Sequence, residues 1–100
     1  MTETFTIIRD ENCNAGYTMG MITIKEIFSF IAILHIDNMS PATEAGLSNK
    51  HIGWCIIKVN GVAGEAECIK DMIDKTRTPN KSFTITLQNI IPDEYREKYL

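Results

Sequence analysis

Apolar residues recur at every second position in several short stretches of the chain, the spacing of a β-strand with one buried face. "TFTIIR" (Thr4 to Arg9) predicts a first strand, and the polar run "DENCNAGY" after it predicts a loop built on turn-forming Asn and Gly. "GMITIK" (Gly20 to Lys25) and "FIAILHID" (Phe30 to Asp37) predict the second and third strands. The break "NMSPATEAGL" predicts a helix of no more than two turns, with Ser40 as its cap, Pro41 as its first residue and Gly46 closing it. "IGWCIIKVNGV" (Ile52 to Val62) predicts another strand, ending in Asn60-Gly61, a dipeptide suited to a tight turn with positive φ. "KSFTITLQNII" (Lys81 to Ile91) alternates as a closing strand.

The period changes once. In "GEAECIKDMIDKTR", Cys68, Ile69, Met72 and Ile73 fall at i, i+1, i+4 and i+5, an apolar stripe on one long helix running from Glu65 to about Lys75. The last segment, "PDEYREKYL", predicts a short helical turn that needs packing to persist. The chain of 100 residues supports one hydrophobic core, so a single domain over 1–100 is expected, with its core at about 4–89 and a C-terminal extension over 90–100.

Composition narrows the function classes. Apolar residues at 44% and charged residues at 23% are ordinary for a folded globular chain. A formal charge of −3 argues against broad attraction to nucleic acid or to an anionic membrane. No apolar run reaches membrane-spanning length, and "MTETFTIIRDENC" lacks the basic-then-apolar pattern of a secretory signal, so a cytoplasmic location is expected. Cys13, Cys55 and Cys68 are odd in number and widely spaced, which suggests free thiols rather than a disulfide framework or a metal clip. Cys55 and Cys68, inside apolar stretches, are expected in the core. No nucleophile elbow, HExxH, P-loop or dinucleotide fingerprint occurs. A thiol enzyme would have to join one of these cysteines to His35, within a strand, or His51, in a polar loop; no enzyme, cofactor or metal is expected.

Three stretches, in this order and spacing, resemble the PDZ domain family. "TMGM" matches the family's carboxylate-binding loop, a glycine between two apolar residues; "NMSPATEAGL" matches its "SPAxxAGL" turn and short helix; "IGWCIIKVNGV" matches the strand that usually reads "GDxIlxVNG". The resemblance covers roughly Thr4 to Asn89. Two departures stand out: Trp54 occupies the place of the family's Asp, and the connection "LSNKH" is two or three residues longer than usual. The resemblance implies an α+β, mainly β architecture, a partly open five- to six-stranded antiparallel barrel or sandwich capped by one short and one long helix.

It also implies a non-catalytic scaffold or adaptor module that binds the C-terminal peptide of partner proteins. A terminal carboxylate is held by converging backbone amides, here those of Met19, Gly20 and Met21, with Arg9 adding positive charge. Gly20 would let the backbone approach closely and adopt angles closed to other residues. The bound peptide then extends the sheet along the second strand, whose residues Ile22, Thr23 and Ile24 border the groove, with Ile69 and Met72 on the helix opposite. Strict alternation puts Met19, Met21 and Thr23 on the groove face and Ile22 and Ile24 on the other. Either another segment, such as "IIPDEYREKYL", covers those two isoleucines or the register slips by one residue. Glu65, the first residue of the long helix unless Ala66 displaces it, would meet the ligand's third residue from the end and accept a hydroxyl or a cation there. The expected partners are protein tails ending in an apolar residue. The alternative is a structural module that pairs its sheet edge with an internal strand or self-associates head to tail through its own Leu100.

Overall fold

The computed structural model describes residues 2–90, and its elements follow the chain as β1 (Thr2–Ile8), β2 (Tyr17–Ile24), β3 (Phe28–Ile36), α1 (Pro41–Glu44), a single 3₁₀ turn (Asn49–His51), β4 (Cys55–Val59), β5 (Val62–Ala63), α2 (Ala66–Asp74) and β6 (Ser82–Gln88). All six strands join one antiparallel sheet in the order β1-β6-β4-β3-β2, with β5 paired to β4. The expected α+β, mainly β class is what forms. The expected helical turn over 90–100 lies outside the described residues, apart from Ile90.

Turn chemistry sets much of this order. Asn60 and Gly61 take φ of 50° and 79°, the two left-handed positions that let β4 double back into β5 with only two residues between them. The β2–β3 hairpin uses the same device with unexpected residues: Lys25 and Glu26 have φ of 53° and 58°, and the Ile27 N–H donates to the Ile24 carbonyl at 3.1 Å. Neither residue is Gly or Asn, so composition alone does not announce that turn. At α1, Ser40 and Thr43 form a reciprocal cap, with the Ser40 N–H donating to Thr43 Oγ1 at 2.8 Å and Pro41 in the first turn.

Apolar side chains are buried on both faces of the sheet. The main core brings Ile7, Ile33, Ile85 and Leu87 of the sheet against Ile69 and Ile73 of α2. A second cluster joins Ile22 and Ile24 of β2 to Ala32 and Cys55, with Phe30, Leu34 and Ile57 packed around them. This is why β3 reads as a nearly unbroken apolar run: its odd and even residues are each covered.

The longer connection before β4 also has a core role. The 3₁₀ turn drops His51 inward to 1% exposure, between Phe5 and Trp54, with ring centroids 4.9 Å away on either side and edge-to-face geometry. Its Nδ1 accepts from the Ser48 N–H at 3.1 Å, which leaves Nε2 to donate to the Glu3 carboxylate at 3.3 Å. The polar neighbours Asn49 and Lys50 are exposed, while His51, on the same polar connection, is packed inside. Trp54, in the place of an acidic residue, completes this aromatic stack.

Candidate functional site

β2 is the outermost strand of the sheet, and its far edge pairs with no described strand. α2 packs over β3 and β4 rather than down onto β2, which leaves a slot between α2 and that edge. Two clefts open along it. One, of about 330 Å³, lies where β2 begins and α2 ends, lined by Arg9, Tyr17, Met19, Asp37, Ile73 and Arg77 among others. The other, of about 590 Å³, lies where α2 begins, beside the β2–β3 hairpin, and includes Met21, Phe28, Glu65, Ala66 and Glu67.

The direction of the β2 amides follows from the bonds of its neighbour. Ile33 sends its N–H to the Trp54 carbonyl (3.0 Å) and accepts from the Gly53 N–H (2.7 Å), so both its backbone groups face β4. Successive residues of an antiparallel strand alternate, so Ala32 turns both of its groups toward its β2 partner, Gly20. Gly20 therefore faces β3 in the regular ladder. Its neighbours face outward: Met21 in the regular ladder, and Met19 beside the bulge that shifts the register between Thr18 and Met19.

Gly20 itself serves a different purpose from the one expected. Its φ lies outside the left-handed region, and a Cβ added there would stand 2.6 Å from Leu34 Cδ1. The glycine makes room for Leu34 on the sheet's second face; it does not supply an unusual backbone angle. Ile22 and Ile24, at 3% and 7% exposure, belong to that second face and do not line the slot. Register is as the alternation predicts, and the two isoleucines cluster with Ala32 and Cys55 on that face; the segment expected to cover them lies, beyond Ile90, outside the described residues. Thr23 shares the face of Met21, exposed, with Oγ1 3.0 Å from Ser29 Oγ. Met21 is 48% exposed, while Met19 is half-buried at the margin of the main core.

On α2 the buried stripe is Ala66, Ile69 and Ile73, at i, i+3 and i+7. Ile69, expected in the groove, is 1% exposed and faces the core. Met72 packs half-buried at the core's margin. Cys68, expected inside, is exposed, whereas Cys55 is buried as expected. Ile73, not singled out as a groove residue, is the helix residue that reaches the smaller cleft. The signal available for it was the i, i+7 spacing from Ala66. Glu65 takes the cap position before the helix, with extended φ and ψ of −73° and 170°, and its side chain makes no capping bond, so its carboxylate remains at the mouth of the larger cleft.

Arg9 is 3% exposed and ties three segments together. Nε and Nη2 donate to the carbonyl and hydroxyl of Thr76, just past α2, at 3.0 and 2.9 Å. Nη1 donates to the Cys13 carbonyl at 2.8 Å, and the guanidinium stacks 4.6 Å from the Phe83 ring centre. Burial lowers its pKa, chiefly by desolvation. Three of its N–H groups are thus taken by the protein, and Arg9 holds the loop leading into β2 against the end of α2. Beside it the Tyr17 hydroxyl oxygen is buried without a hydrogen-bond partner among the described residues. Desolvation pushes this phenol up to about 12, against the opposing pull of Arg9 and Arg77.

The histidines have other partners than the cysteines: His35 pairs with Asp37 at the surface (3.3 Å) and His51 with Glu3. Among the described residues no group of three or more His, Cys, Asp or Glu is placed to hold a metal ion.

This arrangement, an edge strand β2 facing α2 across an open slot, with a short capped helix between β3 and β4, is the PDZ fold. No protein-family model matches the chain, and no curated protein matches it. Solved structures do. The chain is similar to the PDZ domain of human microtubule-associated serine-threonine kinase 4, at 18% identity and a TM-score of 0.66, over 90% of this chain and 95% of that one. It is similar to a choanoflagellate GIPC PDZ domain bound to a B1AR peptide, at 19% identity and a TM-score of 0.66, over 92% and 94% of the two chains. It is likewise similar to INAD PDZ3 in complex with a TRP channel tail, at 17% identity and a TM-score of 0.62, over 89% and 87%.

Proposed function

We propose that this protein is a peptide-binding interaction module that takes the C-terminal end of a partner as an added strand along the outer edge of β2, between β2 and α2. The single observation that carries the reading is the outer edge of β2, which pairs with no described strand and borders a cleft at Met19 and another at Met21. A peptide in that position would satisfy the outward backbone groups of Met19 and Met21, and main-chain bonds of this kind give affinity without demanding one sequence. Solved structures of the same fold carry a peptide or a channel tail, which supports the reading.

The terminal carboxylate sits at the smaller cleft, where the Met19 amide and the cations Arg9 and Arg77 favour an anion. Its last side chain, apolar, lies against Met19 and Ile73. Glu65 meets a hydroxyl or basic residue two places before the end. Affinity near micromolar, about −8 kcal/mol, is what a short flexible ligand retains after its ordering cost. The test is a C-terminal peptide array with free-acid and amidated versions, followed by amide chemical-shift mapping. Binding of the free acid alone, with shifts along 17–24 and 66–77, is expected. Equal binding of the amide, or shifts confined to β1 and β6, overturns the proposal.

A further inference from the structure

We propose that the opposite margin of the sheet is a self-association surface, where β1 pairs antiparallel with β1 of a second copy of this chain and joins the two sheets into one. Three observations carry it.

The first is an open backbone edge. β1 ends the strand order, and its outer side pairs with no described strand. The Arg9 N–H donates to the Lys81 carbonyl at 3.0 Å, one step beyond the Ile8–Ser82 pair. On β6 the Thr84 carbonyl instead accepts from the Asn60 N–H at 2.8 Å, on the side of β4. Odd residues of β1 therefore turn their backbone groups to β6, and Thr2, Thr4, Thr6 and Ile8 turn theirs away from the sheet. All four are exposed, Ile8 to 61%.

The second is that the edge carries none of the usual protection. A strand margin is commonly kept single by charge, by proline or by a bulge. β1 reads TETFTII, and its pairs with β6 run without a register shift, whereas the β2–β3 and β4–β6 ladders are each interrupted. Its charged residue, Glu3, is engaged by Lys50 at 3.5 Å and His51 at 3.3 Å, on the face that also carries Phe5 and Ile7. On the other face Thr4 and Thr6 meet Thr86 and Thr84 of β6, with the Thr4 and Thr86 hydroxyls 3.0 Å apart. The surface beside the edge is thus uncharged and rich in side chains that favour extended structure.

The third is self-complementarity. A two-fold axis at Phe5 sets Thr4 opposite Thr6 of the second copy and Thr2 opposite its Ile8, which uses every outward backbone group of both strands in about eight main-chain hydrogen bonds. No charge meets a like charge along that row. The contact is closed and stops at two copies. Seven residues of extended chain, about 23 Å, place it at the small end of specific interfaces, with a dissociation constant on the order of 0.1 mM. Both β2 edges stay at the far ends of the joined sheet, so the pair offers two grooves to a partner that carries two tails. That consequence rests on the peptide-binding reading; the pairing itself does not.

The test is sedimentation velocity of the full chain from about 10 μM to about 1 mM, with amide hydrogen exchange followed over the same range. A rise from monomer to dimer is expected, and the amides of Thr4, Thr6 and Ile8 should exchange more slowly as concentration rises. The double variant Thr4→Lys with Thr6→Lys sets lysine against lysine across the axis and should weaken the dimer about tenfold. Thr4→Glu with Thr6→Glu should do the same alone, and an equimolar mixture of the two double variants should associate again. Thr6→Pro removes one outward N–H and no bond to β6, so it should also weaken the dimer, and it keeps the test open if a charged variant fails to fold. A chain that stays monomeric at about 1 mM overturns the proposal. So does a dimer equally tight in every variant, or one lost on trimming residues 97–100 while exchange along β1 is unchanged, which would be a head-to-tail contact instead.

Discussion

Replacing Tyr17 by Phe should stabilise the protein, although it removes a polar group from a partly exposed residue. The hydroxyl oxygen is buried and has no hydrogen-bond partner among the described residues, so folding strips it of water and returns nothing. Mutational series put the cost of such an orphan at about 1–3 kcal/mol. The ring stays in place, no cavity opens, and a gain of about 1 kcal/mol is expected. For a domain of this size that raises Tm by about 4–8 °C. The pH dependence gives a second readout. Desolvation holds the folded phenol near 12, above the usual value of about 10 for an unfolded chain. Between those values the unfolded state has released its proton and the folded state has not, so the native protein loses stability as pH rises through that window. The Phe variant lacks this loss. Its advantage over the native chain should therefore grow from about pH 10 to about pH 12, a comparison in which the shared titration of Lys and the other Tyr residues cancels. Urea denaturation at matched pH measures both effects. A variant less stable than the native chain would show that the hydroxyl is bonded, and an advantage that stays constant with pH would show that its environment is not desolvating.

Other substitutions test the loops that frame the slot. Gly16→Ala should cost about 3 kcal/mol or more, because Gly16 has φ of +86° and the new Cβ would lie 2.3 Å from Ser40 Oγ, whose hydroxyl bonds the Asp37 carbonyl at 2.7 Å. Gly61→Ala, at φ +79° with nothing within 4 Å, should cost only about 1 kcal/mol; equal losses at the two sites, measured by thermal unfolding, would refute the steric argument. Arg9→Lys keeps the charge but loses the fork that reaches both Thr76 and Cys13, and a loss of about 2–3 kcal/mol is expected by denaturant titration. Retained stability would show that the loop and the end of α2 are held by other contacts.

The parts legible in advance were those written in short segments. Ser40-Pro41 starts a helix, and Asn60-Gly61 reverses a strand, because cap and turn conformations depend on the residues that occupy them. The alternation of β1, β2 and β6 located strands to within two or three residues. The Lys25-Glu26 turn was not legible, since it borrows its left-handed geometry from the pairing of the strands on either side.

The candidate site divides in the same way. Its location, an edge strand carrying Met19-Gly20-Met21 opposite the one long helix, could be read from motif order. Its wall could not. Whether Met72 or Ile73 reaches the smaller cleft depends on how far α2 is rotated about its axis over β3 and β4, and the apolar stripe leaves that rotation open by a residue. Gly20 is needed because of Leu34, fourteen positions away, and Arg9 is held by Thr76, sixty-seven away. By itself, the sequence determined which segments form strands and helices and where the chain turns, for these rest on local conformational preference and on the period of apolar residues; that one strand would face a helix was implied only by the resemblance its motif order carries. Tertiary structure decided that Ile22 and Ile24 are covered on the second face, that His51 lies inside and that Arg9 braces the fold. Period reveals that a face is apolar or polar, whereas only packing reveals what meets it.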